Sequence, residues 1–233
     1  MKKYAFGVDI GGTTCKIGFF DTNGTLLDKW EIKTNTENNG ESILSDVAKA
    51  VDNKLAQEAI SKDDVQGIGI GVPGPVASQG VVHRCVNLGW GVVNVAEELG
   101  NLTGLKIKVG NDANVAALGE MWQGGAKGSK DVIMVTLGTG VGGGIIVDGK
   151  VVAGFNGAGG EIGHITVNND EIEACNCGEY GCLEQYTSAT GIVRLAKRKL
   201  AKSTEQTSIR EIPILSAKVV CSAAKAGEAN AIV

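Results

Sequence analysis

The segment Asp9-Ile10-Gly11-Gly12-Thr13-Thr14 is the stretch that decides the fold predicted for this chain. It lies between two short strand candidates at residues 4–10 and 16–21, and the turn Thr22-Asn23-Gly24 leads into a third. A second loop rich in glycine and threonine, at residues 137–144, follows the first strand of the second half of the chain. This doubling favours two related α/β units, while strand periodicity alone fits other α/β architectures equally well.

The remaining segments alternate between strand and helix signals. Segment 41–59 is predicted to be an amphipathic helix because its apolar residues recur at helical spacing, at Ile43, Leu44, Val47, Val51 and Leu55. The other predicted strands cover residues 26–33, 65–72, 106–109, 132–137, 143–147 and 150–153, and the other helices residues 95–102, 187–201 and 212–226. A further predicted helix follows Asp112 and continues to Trp122. With a hinge near residues 110–118, we expect an N-terminal α/β domain at 1–114 and a C-terminal α/β domain at 115–233.

The composition argues against several classes of protein. The 233 residues suffice for one large domain or two small ones, and the net charge of -4 gives no basic surface for nucleic acid or an anionic membrane. No apolar run approaches the roughly twenty residues that span a bilayer, and Met1-Lys2-Lys3 leads directly into a strand without a cleavage site. We therefore expect a cytoplasmic protein in which Cys15, Cys85 and Cys221 are reduced thiols.

Both glycine-rich loops have the composition that phosphate binding requires. Glycines without side chains let backbone N–H groups point at phosphate oxygens, and threonine hydroxyls add donors. Asp9, directly before the first loop, is suited to hold a hydrated Mg²⁺. An ordinary hairpin remains the alternative for the first loop. The predicted nucleotide-binding residues are Asp9, Gly11, Gly12, Thr13, Thr14, Gly138, Thr139, Gly140, Gly142 and Gly143.

The second loop contains a G-x-G-x-x-G frame from Gly138 to Gly143, which is also found in dinucleotide sites. In a dinucleotide site this frame opens a helix, whereas here the chain continues into a strand. The pattern therefore favours ATP over NAD.

A histidine and three cysteines form a compact set of soft ligands, His164, Cys175, Cys177 and Cys182. Three thiolates and one imidazole are a common structural zinc set, closed in all four positions and not itself catalytic. A disulfide pair beside an unrelated histidine, or free buried thiols, is the alternative. Glu161 and Glu184 lie next to these ligands in the sequence, so the metal would fix both carboxylates.

The sequence Asn111-Asp112-Ala113-Asn114 lies between a strand end and a helix start. Asp112 is a candidate general base, and its alternative role is to cap the helix that continues to Trp122.

Five motifs in this order resemble those of the ROK family of bacterial sugar kinases and sugar-responsive repressors. They are DIGGT at residues 9–13, GVPGP at 71–75, NDAN at 111–114, LGTGVGGG at 137–144, and a histidine followed by CxCGxxGC and Leu-Glu at 164–184. The resemblance extends from about residue 4 to about residue 228. One departure is Thr14, where the family more often has lysine, and Lys16 follows it.

The resemblance implies a two-domain actin-like or hexokinase-like fold of the ribonuclease H-like type, with a zinc-binding loop. It implies an ATP-dependent hexose kinase with Mg²⁺, most similar to the members that convert glucose to glucose 6-phosphate, and a homodimer. Asp112 matches the catalytic aspartate. The sugar-binding positions fall on Asn111, Glu161, His164 and Glu184, with Gly74 as a weaker backbone candidate. For either glutamate, an ordinary surface carboxylate is the alternative.

Two other functions remain open at this point. The family's repressors carry a DNA-binding module ahead of the kinase-like domains, and we expect none here because the first strand begins at about residue 4. Family members usually continue for about eighty residues more and supply the adenosine-binding loop, so we expect a chain truncated at the C-terminus. A sugar-binding protein without kinase activity, or a kinase for fructose, mannose or an N-acetylated amino sugar, is the alternative to glucose phosphorylation.

Overall fold

The structure of the chain, a computed structural model, describes residues 2–228 and residue 231. Strands and helices alternate along these residues. The strands are β1 (Tyr4–Ile10), β2 (Thr14–Asp21), β3 (Leu26–Lys33), β4 (Val65–Val72), β5 (Val81–Val82), β6 (Val93–Asn94), β7 (Ile107–Asn111), β8 (Val132–Leu137), β9 (Val141–Val147) and β10 (Lys150–Val151). The helices are α1 (Ile43–Gln57), α2 (Val95–Thr103), α3 (Asp112–Gln123), α4 (Glu184–Thr187), α5 (Ala189–Lys202) and α6 (Ala217–Lys225).

A five-stranded sheet in the order β3-β2-β1-β4-β7 is the centre of the first half of the chain. The strands β3, β2 and β1 are antiparallel, and β1, β4 and β7 are parallel. Gly24, with φ at 92°, occupies the turn between β2 and β3, a conformation that a side chain would strain. Because β1, β4 and β7 run in the same direction, their carboxyl ends meet at one edge of the sheet, where ligands bind in open α/β sheets.

One face of this sheet carries the main hydrophobic core. Alternate residues of the strands point to it, among them Phe6, Val8 and Ile10 of β1. All five apolar residues predicted for the inner face of α1 are buried there. Burying such a side chain contributes roughly 1.5–3 kcal/mol to the stability of the fold. The apolar residues at helical spacing in α1 and those at alternate positions in β1 therefore stabilise the same core.

The opposite face of the sheet lines an open cavity of about 1840 Å³. Its strands contribute small residues such as Gly7, Gly18 and Gly69, while α3 contributes larger apolar side chains, among them Leu118 and Trp122.

The described chain divides into two compact units. The first comprises Met1–Met134 with Gly144–Gly160, and the second comprises Val135–Gly143 with Glu161–Val233. The strands β8, β9 and β10 form a separate sheet in the order β10-β9-β8. In the second unit, α5 and α6 share a small core that includes Ala196, Ile209 and Val220. The expected domain boundary after residue 114 stays a prediction.

Most predicted elements are confirmed, and the differences lie at their ends. The strands predicted at 4–10, 26–33, 65–72 and 132–137 have these bounds in the structure. Helix α6 begins at Ala217 rather than at residue 212, because Pro213 disfavours a helical conformation at Ile212 and the side chain of Ser216 accepts from the N–H of Val219 as the helix cap. The hairpin of β5 and β6 was not predicted, since two-residue strands leave no periodicity. Among the helices of the described residues, none has the length and apolarity to cross a membrane.

Candidate functional site

The predicted site residues fall into two groups, one in each unit. The first unit holds the first phosphate loop and the proposed base, at Asp9, Gly11, Gly12, Thr13, Thr14, Gly74, Asn111 and Asp112. The second unit holds the second loop, the carboxylates and the ligand cluster, at Gly138, Thr139, Gly140, Gly142, Gly143, Glu161, His164, Cys175, Cys177, Cys182 and Glu184.

Two carboxylates lie beside each other at the carboxyl edge of the first sheet. Asp9 of β1 pairs in register with Gly71 of β4, and Gly71 with Gly110 of β7. A side-chain carbon added at Gly71 would lie 3.5 Å from the Cα of Asp112 and 3.9 Å from Oδ1 of Asp9. The absence of a side chain at Gly71 therefore lets the two acidic residues face a common space.

The helix cap at the start of α3 is Asn111, so the alternative role of Asp112 as the cap is wrong. The Oδ1 atom of Asn111 accepts from the N–H of Asn114 at 3.2 Å, and its Nδ2 donates to the carbonyl of Gly74 at 3.2 Å. Asp112 is instead the first residue of the helix, and its carboxylate accepts from the N–H of Ala113 at 2.8 Å. Asn111 thus fixes both the start of α3 and the Gly74 turn, while Asp112 has no capping task.

The environment of Asp112 favours a carboxylate that takes up a proton. Loss of hydration in the protein surroundings, and then the negative charge of Asp9, raise the pKa of Asp112, although the hydrogen bond from the N–H of Ala113 opposes this. The residue remains accessible to solvent. A carboxylate with a raised pKa is a better general base near neutral pH than an ordinary one.

The first glycine loop is a tight connection between β1 and β2. The N–H of Gly11 donates to the carbonyl of Thr14 at 3.0 Å. Thr34, at the end of β3, holds this loop from one side, because its hydroxyl donates to the carbonyl of Gly11 at 2.6 Å and its N–H to that of Thr13 at 2.9 Å. This geometry suits phosphate binding and an ordinary hairpin alike. Lys16 pairs in register with Asp9 across the two strands, and both line the open cavity.

The second glycine loop is shorter than predicted. Strand β9 begins at Val141, so Gly142 and Gly143 belong to the strand, and the loop itself consists of Gly138, Thr139 and Gly140. The N–H of Gly138 donates to the carbonyl of Gly140 at 3.0 Å, which closes a tight turn. No helix begins at this loop, whereas the glycine frame of a dinucleotide site opens one.

The four predicted metal ligands are together in the second unit. Their ligand atoms all lie within 4.8 Å of one another. Sγ of Cys175 is 3.8 Å from Nδ1 of His164, and Sγ of Cys177 is 3.6 Å from Sγ of Cys182. With zinc–sulfur and zinc–nitrogen bonds of about 2.3 and 2.0 Å, a tetrahedral site needs ligand separations of about 3.6–3.8 Å. These two separations match a tetrahedral zinc site, and the four residues together could hold a metal ion.

Of the two alternatives to a metal site, the disulfide receives less support, and free thiols stay open. All six cysteines are free, and the separation of Cys177 and Cys182 is far above the bond length of about 2.05 Å in a disulfide. Loss of hydration on burial, together with hydrogen bonds from the neighbouring thiols, raises the pKa of Cys182 to about 12. Three thiolates so close together would need a cation to form, whereas protonated thiols would not. Of the three cysteines outside the cluster, Cys15 and Cys85 are buried and Cys221 is exposed.

The ligand cluster and the two glutamates share short structural elements. His164 ends a 3₁₀ helix, Ile162–His164, that begins directly after Glu161. Glu184 starts α4 and is not an ordinary surface carboxylate, because its Oε2 accepts from the N–H of Val141 at 2.9 Å. Nδ1 is the ring nitrogen of His164 that faces Cys175.

One buried ion-pair cluster, around Glu171, has no counterpart among the sequence predictions. Glu171 is buried, and its carboxylate accepts from the guanidinium groups of Arg194 at 3.0 Å and Arg198 at 2.9 Å, and from the hydroxyl of Tyr186 at 2.7 Å. Burial by itself raises the pKa of Glu171, but these hydrogen bonds outweigh it and hold the pKa well below its usual range. The cluster anchors the loop that leads to Cys175 onto α5. Its only sequence signal was the spacing of the two arginines on one helix face.

The chain was compared with known proteins. It matches the ROK family over residues 5–231. It is 44% identical to a glucokinase of Halalkalibacterium halodurans over 99% of this chain and 71% of that protein. The fold matches a ROK family glucokinase from Streptomyces griseus, solved in complex with glucose and AMPPNP, with a TM-score of 0.74 at 33% identity over 98% of this chain and 73% of that one.

A ROK family transcriptional regulator, a homologue of the E. coli MLC protein, also has this fold. The TM-score is 0.82 at 26% identity, over 98% of this chain and 57% of that one. The chain thus spans between 57% and 73% of the length of these three proteins. Since the family match covers nearly all of its residues, the chain belongs to the ROK family.

Proposed function

We propose that the chain is an ATP-dependent hexose kinase that converts glucose to glucose 6-phosphate. The observation that carries the proposal is the placement of Asp112 beside Asp9 at the carboxyl edge of the parallel strands, with its pKa raised. The identity of 44% to a glucokinase supports glucose as the sugar, and the AMPPNP bound to the Streptomyces griseus enzyme supports ATP as the phosphoryl donor.

In this reaction Asp112 is the general base. It accepts the proton of the attacking sugar hydroxyl while that oxygen bonds to the γ-phosphorus of ATP, and the bond from phosphorus to the bridging oxygen breaks to release ADP. Phosphoryl transfer requires mainly positioning and charge neutralisation in addition to this base. Asp9 would hold Mg²⁺, which supplies the neutralising charge on the phosphates when bound. The two glycine loops would donate backbone N–H groups to the phosphates.

Four polar side chains are assigned the sugar-binding role. Asn111, Glu161, His164 and Glu184 offer the donors and acceptors that a ring of hydroxyls needs. The contacts already made by Asn111 and Glu184 support this role, since a side chain fixed by the protein loses little freedom when it binds.

A zinc ion held by His164, Cys175, Cys177 and Cys182 would be structural, because its four positions are closed by protein. The bound ion would hold in place the loop that carries Glu161 and Glu184. A homodimer and a cytoplasmic location stay predictions from the sequence.

The test is an ADP-release assay on the chain with Mg-ATP and a panel of hexoses. We expect release of ADP with glucose, weaker release with mannose, fructose and N-acetylglucosamine, and none without sugar. No ADP release with any hexose, in a preparation that binds both glucose and Mg-ATP by calorimetry, would contradict the kinase proposal. That outcome would favour a sugar-binding regulator, for which the match to the transcriptional regulator is the supporting observation.

A further inference from the structure

The short segment from Cys182 to Thr190 contacts both the ligand cluster and the second glycine loop, all within the second unit. Cys182 is a predicted metal ligand. Three later residues of the segment bond the loop: Oε2 of Glu184 accepts from the N–H of Val141 at 2.9 Å, the N–H of Ala189 donates to the carbonyl of Gly138 at 2.9 Å, and the hydroxyl of Thr190 donates to that of Thr139 at 2.7 Å.

The packing at this loop leaves no room for movement toward the segment. A side-chain carbon at Gly140 would overlap the carboxylate of Glu184. A side-chain carbon at Gly163, the residue before His164, would overlap the carbonyl of Val141. The loop is therefore in close contact with residues adjoining metal ligands on two sides, which the sequence alone did not indicate.

Glu184 is the shortest link between the two features. Its Oε2 accepts from Val141, and its Oε1 lies 3.8 Å from Sγ of Cys175. The next residue ties the segment to the ligands as well, because the side chain of Gln185 accepts from the N–H of Cys182 at 3.0 Å and donates to the carbonyl of Glu173 at 2.9 Å. Because Glu184 lies two residues after Cys182 and Gln185 bonds the N–H of Cys182, a change in the position of Cys182 would be transmitted to Val141 through the side chain of Glu184.

We propose that the ligand cluster positions the second glycine loop, with Glu184 as the positioning residue that joins them. The metal site would then order the loop expected to hold the phosphates, in addition to shaping the sugar pocket. The inference deepens the proposed function by assigning the metal to the nucleotide side of the reaction. Its test needs no catalysis, so the result stands whether or not the chain proves to be a kinase.

The experiment is amide hydrogen exchange on zinc-loaded protein, on chelator-treated protein and on protein reloaded with zinc. Without zinc we expect exchange at Val141 to be about tenfold faster, because its N–H loses a charge-assisted hydrogen bond, and reloading should restore it. Amides of β1 and α6 should keep their rates. Unchanged exchange at Val141 after verified loss of zinc would overturn the proposal, as would equal acceleration in α6, which would show general opening of the unit.

Variants test the link itself while zinc is bound. In Glu184→Ala, exchange at Val141 should rise about tenfold with zinc content unchanged, whereas Glu184→Gln, whose carbonyl still accepts, should stay within about threefold of the parent. Thr190→Val removes a different contact and should also accelerate exchange in the loop. Glu173→Gln is the matched control, since Glu173 bonds Arg194 instead of the loop, and should have no effect. Parental exchange at Val141 in zinc-loaded Glu184→Ala, or parental exchange of the loop in Thr190→Val, would refute the positioning role.

Discussion

Asp112 is the residue on which the proposed reaction depends most directly. A general base acts in the transition state, so Asp112→Asn should lower turnover by roughly 10²–10⁴ and leave sugar affinity within a few-fold of the parent. Glu161→Gln should differ, because a residue used for uniform binding raises the Michaelis constant more than it lowers turnover. The measurement is turnover per folded molecule at saturating glucose and Mg-ATP. Turnover above about a tenth of the parent in Asp112→Asn would remove Asp112 from this role.

The same region allows function to be separated from stability. Because the pKa of Asp112 is raised in the folded protein, the charged carboxylate lowers the free energy of unfolding. This destabilisation is present above the raised pKa and is relieved as the pH falls below it. Asp112→Asn should therefore be at least as stable as the parent at pH 7. Asn111→Ala removes the cap and should lower the free energy of unfolding by about 1 kcal/mol. Urea unfolding of both variants checks this, and a larger loss of stability in Asp112→Asn than in Asn111→Ala would contradict the assignment of the cap.

At the scale of elements, the ion pairs of Glu171 hold the loop before Cys175 against α5. Glu171→Gln leaves two arginines without their buried partner and should destabilise the second unit by about 3 kcal/mol. Because the pKa of Glu171 is lowered in the folded protein, the stabilisation is complete above the unfolded value of about 4.3 and is lost as the pH falls below it.

The check is the denaturant dependence of amide exchange in α5, measured at pH 7 and pH 4. Glu173→Gln is the control, because Glu173 pairs with Arg194 at the surface and such a pair contributes at most about 1 kcal/mol. If Glu171→Gln and Glu173→Gln lowered the free energy of unfolding equally, the burial of Glu171 would contribute nothing to stability.

Features that depend on residues close together in the sequence could be predicted, and features that depend on distant residues could not. The inner face of α1 and the turn at Gly24 are set by neighbouring residues, and both were predicted correctly. The cap of α3 was not, because Asn111 and Asp112 are adjacent and both are good caps, so that only the contact with Gly74 distinguishes them. Glu171 and Arg198 are 27 residues apart, and nothing local joins them.

At the scale of the whole molecule, we expect about one zinc ion per chain. Cys177→Ser should lose the zinc together with sugar binding, because the metal fixes the loop that carries Glu161 and Glu184. Cys221→Ser is the matched control, since Cys221 is equally exposed but lies outside the cluster. Elemental analysis and calorimetry with glucose decide the matter, and protein purified without chelator that contains no zinc would contradict the metal site.

The strand order of the central sheet also has a consequence for the route by which the chain folds. The strands β1, β2 and β3 are neighbours in sequence as well as in space, so their pairing closes only short loops, whereas β1 can meet β4 only after the intervening helix and turns have been enclosed. We expect the three-stranded meander to be formed in the folding transition state and the parallel pairing to follow. Substitutions at Gly24 should then slow refolding, while truncations in β7 should mainly speed unfolding, which stopped-flow chevron plots distinguish.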